Sequence, residues 1–190
     1  MKPVIGFALC GSFCTFRKAI EALRILAQDY TVIPILSAAS AEIDTRFGTA
    51  ASFRTEIESI CGTRVLTTLN EVEPFGPKKQ LELLVIAPCT GNTLAKLSAG
   101  VADTAVTLAC KAHLRNGRPV VLAVSTNDGL AANAESIGRL LARRHFYFVP
   151  FGQDSPFGKP YSLVADLEKL PETVTQALAG RQLQPLLIVK

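Results

Sequence analysis

Apolar runs about six residues long alternate along this chain with stretches in which apolar side chains return every three or four positions, and that alternation sets the first expectation. Val4 to Leu9 is a continuous apolar run ending in Cys10-Gly11-Ser12-Phe13, a turn, after which Phe16, Ile20, Leu23 and Ala27 share one helical face. Thr31 to Leu36 reads as a second strand, and Pro34 inside it points to an edge, a bulge or an irregular end. Phe53, Ile57 and Ile60 mark a helix closed by Gly62, and residues 64–67 a short third strand. Residues 70–80, with Pro74, Gly76, Pro77 and the Lys78-Lys79 pair, read as a surface connection.

The run Leu83-Leu84-Val85-Ile86-Ala87-Pro88 is the most apolar strand, suited to a parallel sheet covered on both faces. Leu94 and Leu97, then Val106, Ala109 and His113, mark helical faces interrupted near Gly100 and halted at Gly117. Residues 119–124 are the next strand, residues 125–129 a polar turn, and Ile137, Leu140 and Leu141 another helix. Residues 146–149 are a further strand, residues 150–160 a glycine- and proline-rich long loop, and residues 163–178 a last helix. Strands alternating with helices imply the α/β class: a three-layer, doubly wound, mostly parallel sheet of Rossmann-like or flavodoxin-like kind. One domain over residues 1–190 is expected, since this length with 48% apolar residues builds a core without disulfides or metals. The tail after Gly180, ending in Leu186-Leu187-Ile188-Val189, is apolar enough to dock on the body or on a neighbouring subunit.

Charge narrows the function. The net +4 comes from scattered Lys and Arg, with no basic arm or stripe, so nucleic acid is not an expected partner. No apolar stretch is long enough to cross a bilayer and the amino-terminal run is wrongly flanked for a secretory signal, so the expectation is a soluble, cytoplasmic protein without a membrane partner. Cys10, Cys14, Cys61, Cys89 and Cys110 show no C-x-x-C and no Cys/His spacing of a zinc site, which suits reduced thiols and no metal.

In doubly wound sheets the ligand crevice opens beyond the carboxyl ends of the strands, where strand order reverses. Four such ends are small and polar here: Gly11-Ser12, residues 37–40, residues 89–93 and Ser125-Thr126-Asn127. If the first strand and the one over residues 83–88 flank the reversal, Gly11-Ser12 and Thr90-Gly91-Asn92 face each other across one crevice, with hydroxyls and helix-start N–H groups for an anion or a planar polar heterocycle. For any single turn, small polar residues that merely reverse the chain explain as much; the four together favour a site. The first turn is not G-x-G-x-x-G, and there is no G-x-x-x-x-G-K-[ST], so neither a standard dinucleotide site nor a nucleoside triphosphate site is expected. His113 reads as a packing or surface residue, His145 as a helix-end cap, Asp103 as a helix cap, and Cys89 either as packing or as a reactive thiol. Without paired acids, metal ligands or a nucleophile beside a histidine, the chemistry falls to a bound organic cofactor.

Residues 87–97, Ala-Pro-Cys-Thr-Gly-Asn-Thr-Leu-Ala-Lys-Leu, followed by Gly100-Val101-Ala102-Asp103, resemble the signature of the FMN-binding flavoproteins that include the peptidyl-cysteine and phosphopantothenoylcysteine decarboxylases. Residues 6–15 are similar to that family's first phosphate-contacting turn, and the likeness covers essentially the full length. The resemblance implies FMN as cofactor, with Gly11, Ser12, Phe13 and Ser37 at phosphate and ribityl, Pro88, Thr90, Asn92 and Thr93 around phosphate and flavin, and Asn127 together with Asn92 orienting substrate. Two departures matter: residues 38–76 hold no histidine, and Met1 is the only methionine, so the decarboxylases' histidine and proline-methionine-asparagine clamp are missing and cysteine decarboxylation is disfavoured. Residues 125–130 and 147–154 resemble instead a branch that oxidises a dihydropyridine dicarboxylate to its aromatic form in spore-forming bacteria. By that resemblance the partners are a small dicarboxylate substrate, a larger subunit with a dinucleotide-binding fold, and further copies of this chain in a trimer or a multiple of trimers. Whether the flavin or the partner's nicotinamide takes the hydride stays open at this point, as do two alternatives: a non-catalytic partner subunit without flavin, and a flavin-dependent decarboxylase.

Overall fold

The computed structural model describes residues 2–189. Strand β1 (Val4–Leu9) runs into a 3₁₀ turn and helix α1 (Phe16–Asp29), then β2 (Thr31–Leu36), α2 (Ala38–Glu42), α3 (Ala50–Cys61) and α4 (Leu69–Val72). After β3 (Leu83–Cys89) come α5 (Gly91–Ala99), α6 (Ala105–Leu114), β4 (Val120–Thr126), α7 (Ala134–Leu141) and β5 (Phe146–Phe148). The chain closes with β6 (Phe151–Ser155), β7 (Lys159–Ala165) and α8 (Leu170–Leu178).

The sheet order begins β2-β1-β3-β4, and β5 pairs in parallel with the first part of β4. This is the flavodoxin-like order, with its reversal between β1 and β3. Every residue of β3 is buried, as its unbroken apolar run predicts for the central strand. β2 is the edge strand on its side, which is how it tolerates Pro34. Because parallel connections are right-handed, the helix leaving β1 leftward and the helices leaving β3 rightward lie on opposite faces. On one side α1 contacts α8, and on the other α5 contacts α6 and α7, which gives the three layers.

Beyond β5 the sheet departs from the parallel plan. Ser125 and Thr126, the last residues of β4, pair antiparallel with Val164 and Leu163 of β7, and β6 pairs with β7 outside it. The chain leaving β5 is thus pushed away from β4 by a returning strand, and residues 150–160 form part of a hairpin instead of the expected loop. The last helix accordingly starts at Leu170, not near residue 163, because Leu163 and Val164 are spent on pairing. The tail docks on the body: Phe151 N–H donates to Leu186 (3.0 Å) and Ile188 N–H to Phe151 (3.1 Å).

Two further expectations change. The strand expected over residues 64–67 is a single bridge between Leu66 and Ile35. The connection over residues 70–80 is only partly superficial, since it contains the end of α4 and a 3₁₀ turn that bury Val72 and Phe75 in the core. Among the described residues no helix is long and apolar enough to cross a membrane.

Candidate functional site

A cleft of about 1170 Å³ opens at the carboxyl ends of β1, β3 and β4. Gly11, Ser12, Phe13, Thr90, Asn92 and Asn127 all line it. Sequence alone put those residues at separate turns, and the β2-β1-β3-β4 order gathers them.

The floor is a set of short hydrogen bonds between strand tips. Ser12 and Ser125 hydroxyls meet at 2.7 Å, spanning from the end of β1 to the end of β4 although β3 lies between those strands. Thr15 hydroxyl donates to the Ser12 carbonyl (2.9 Å) and lies 3.4 Å from the Ser125 hydroxyl. Cys10 N–H donates to the Pro88 carbonyl (3.2 Å), and Thr93 hydroxyl donates to Cys10 Sγ (3.3 Å). Ser37 N–H donates to the Leu9 carbonyl (3.0 Å), and Ser40 hydroxyl donates to the same oxygen (3.1 Å). Ser37, Pro88 and Thr93 therefore hold the strand tips together from behind and do not line the cleft.

Helix α5 points its first turn at this floor. Thr90 is its N-cap, with the side chain accepting the Thr93 N–H, which leaves the N–H groups of Gly91 and Asn92 at the open end. Such an end favours an anion. Gly91 is required by space: a Cβ there would lie 2.5 Å from Asn133 Nδ2 and 2.6 Å from Thr126 Oγ1. Those two side chains serve Asp128, whose carboxylate accepts from Asn133 Nδ2 (2.7 Å) on one oxygen and from Thr126 hydroxyl on the other. This role of Asp128 and Asn133 has no signal in the sequence, since nothing in their spacing shows that the two meet against Gly91.

The thiols beneath the cleft are chemically quiet. Burial pushes Cys10 up to about 11, only partly offset by hydrogen bonds from Thr93 and Thr90. Burial, then the neighbouring thiols Cys10 and Cys110, raises Cys89 further above its ordinary value. A protonated, buried thiol is no nucleophile at neutral pH, so Cys89 packs. His113 is completely buried, with Nε2 3.0 Å from the Pro119 carbonyl, and lies outside the cleft. His145 does not cap the helix it follows: it is exposed at φ +70° and its carbonyl accepts the Val120 N–H (2.7 Å), while Arg143 donates to the Leu97 (3.0 Å) and Ser98 (2.6 Å) carbonyls at the end of a different helix, α5. Asp103 is not a cap either: Thr104 caps α6, and Asp103 pairs with Lys96 at 2.9 Å.

Hydroxyls on three strand tips, an open helix start and a cleft of this size can take a phosphate at the floor and leave room for a planar ring system above it. The donor set suits an organic phosphate such as FMN. Among the described residues there is no cluster of His, Cys, Asp and Glu that would hold a metal ion.

Comparison with known proteins agrees with this geometry. The family model described as Flavoprotein matches residues 1–146. The dipicolinate synthase B subunit of Bacillus subtilis (strain 168) is 41% identical over 185 residues, covering 97% of this chain and 92% of its own. The crystal structure of the dipicolinate synthase B subunit from Bacillus halodurans superposes with a TM-score of 0.91 at 42% identity, covering 100% of both chains. The FMN-dependent cysteine decarboxylase SpaF shares the fold at a TM-score of 0.65 and 18% identity, over 93% of this chain and 95% of its own.

Proposed function

Since the chain belongs to the flavoprotein family, we propose that it serves as the FMN-holding B subunit of a dipicolinate synthase, which together with its A subunit oxidises dihydrodipicolinate to dipicolinate in the cytoplasm during sporulation. The observation that carries this reading is the cleft at the β1/β3 reversal, where the Gly11-Ser12-Phe13 turn and the start of α5 converge. The full-length likeness to dipicolinate synthase B subunits supports the choice of reaction over the decarboxylases, whose likeness is one of fold.

In this reading Gly11, Ser12 and Phe13, with Thr90 and the open N–H groups of Gly91 and Asn92, hold the phosphate. Ser37, Pro88 and Thr93 keep those groups in place through Leu9 and Cys10. Bound FMN supplies a two-electron acceptor. The substrate gives up two electrons and two protons as its ring becomes aromatic, so the protein's task is mainly to orient that ring and fix its carboxylates. Asn127 and Asn92, both exposed on the cleft, are placed to orient it. The chain works as a homo-oligomer, a trimer or a multiple of one.

The visible spectrum of the purified protein tests the reading. A flavin spectrum that bleaches when dihydrodipicolinate is added without the A subunit supports it and makes the flavin the acceptor. Bleaching that needs the A subunit with its nicotinamide places hydride transfer on the partner. A colourless protein that takes up no added FMN overturns it, and carbon dioxide release from a peptidyl-cysteine turns it to decarboxylation. Asn92→Asp should weaken flavin retention and turnover together, by repelling the phosphate at the helix start.

A further inference from the structure

We infer that Arg46, carried with Phe47 on the tight turn between α2 and α3, is the group that grips a carboxylate of the substrate, an assignment that rests on the dicarboxylate reading above. The cleft's rim carries Arg17, Lys18, Arg46 and Lys159. Two of these are already neutralised: Arg17 pairs with Glu56 at 2.9 Å, and Lys159 with Asp154 at 2.8 Å. Arg46 has no acidic partner among the described residues, and its near neighbour Asp44 is occupied with the Ala50 N–H at 2.8 Å. Lys18 likewise has no ion pair among the described residues, but it offers a point charge on a flexible stem, where the guanidinium offers a planar fork matched to a carboxylate.

The turn that presents Arg46 is built, not loose. Thr45 and Gly48 exchange N–H···O bonds of 3.0 and 3.1 Å, and the Thr45 hydroxyl donates to the Gly48 carbonyl (3.3 Å) while accepting the Phe47 N–H (3.2 Å). Gly48 has φ +149°, and a Cβ on it would lie 2.8 Å from the Phe53 ring. Phe53 is buried and packs edge-on against Phe16 with centroids 5.0 Å apart, so the turn is seated on the core. Arg46 Cζ lies 4.9 Å from the Phe47 ring centroid. Phe47 is 39% exposed and lines the same cleft. An exposed guanidinium without an acidic partner, stacked on a partly exposed aromatic ring and carried by a seated turn, is the complement of a planar ring bearing a carboxylate.

The test uses the purified full chain and two probes, pyridine-2,6-dicarboxylate and pyridine-2-carboxylate, titrated by calorimetry against the unaltered protein, Arg46→Met and Arg46→Lys. Arg46→Met should weaken dicarboxylate binding by about tenfold or more and narrow the preference for two carboxylates over one, since a charge-assisted pair is lost. Arg46→Lys should recover part of the affinity. Flavin content, read from the visible spectrum, should stay at the level of the unaltered protein, because Arg46 takes no part in the hydrogen bonds that build the phosphate floor. Equal dicarboxylate affinity in all three proteins, or none in the unaltered one, overturns the assignment. Absence of flavin from the unaltered protein with the Arg46 effect intact would instead count against the cofactor reading alone.

Discussion

Residues 2–149 and residues 150–189 share one sheet but are held in place by different means. In the first region burial decides position: β3 is buried at all seven residues, and β1 and β4 are nearly so. In the second, burial anchors α8 through Leu170, Val174 and Ala177 and the hairpin through Phe151, Leu163 and Ala165, but the outer part rests on pairing: β7 begins exposed at Lys159, Pro160 and Tyr161 and joins β4 through two residues, while the tail is tied to the far side of β6 through Phe151. At the hairpin's end Phe157 is fully exposed. The difference teaches that the parallel half is a scaffold that sets the cleft floor, and the hairpin is an appended wall whose register comes from hydrogen bonds. The Flavoprotein family model ends at residue 146, close to the same division.

The contrast is tested most severely at Ile86, fully buried in the central strand. Ile86→Ala should cost about 2–5 kcal/mol by urea denaturation and lower protection of every strand in hydrogen exchange. Gly152 probes the other region: a Cβ there would lie 2.2 Å from the Ile188 carbonyl oxygen, so Gly152→Ala should prise off the tail. A smaller cost, about 1–3 kcal/mol, is expected, with faster exchange at residues 151 and 186–188 and unchanged exchange in β1 and β3. Equal costs with loss of protection throughout would show the two regions to be one cooperative unit. The smallest effect concerns pH and sharpens the contrast from inside the scaffold. Burial holds His113 below its ordinary value of 6.5, so the unfolded chain takes up the proton first. Stability should be full above about pH 6.5 and decline as pH falls from there toward the folded value. The carboxylates with lowered values, Glu71 at about 2 and Asp103, lose their contribution only in more acidic solution. The difference between urea midpoints at pH 7.5 and 5.5 should therefore shrink in His113→Leu.

Legibility in the sequence follows the same division. Strands whose apolar residues are continuous, such as Val4–Leu9 and Leu83–Cys89, were plain because burial on both faces writes itself into composition. The hairpin was not, because it carries Gly152 and Pro160 in its strands and Pro156 and Gly158 in its turn, residues that by local preference reverse the chain, and the partner of β7 on β4 lies far off in sequence. Residues 64–67 looked like a strand since Val65 and Leu66 are apolar, yet Leu66 bridges at one point beside Pro34 and goes no further. At the site, Gly11, Ser12, Phe13, Thr90, Asn92 and Asn127 were legible as small or polar ends of apolar runs. The supporting place of Ser37, Pro88 and Thr93, the meeting of Asp128 with Asn133, and the approach of the Arg46 turn to Phe53 at Gly48 depend on proximity in space, for which spacing holds no signal.

The Ser12–Ser125 contact has a consequence for how the parts of the molecule speak to one another. A serine has one proton to give. Either hydroxyl can be the donor across this contact, so when an incoming oxyanion claims the proton of one, the other donates in its place and the tips of two non-adjacent strands stay latched over an occupied floor. Ser125 also pairs with Val164 through its backbone, so the residue that closes the floor is one of the two that join β4 to the appended wall.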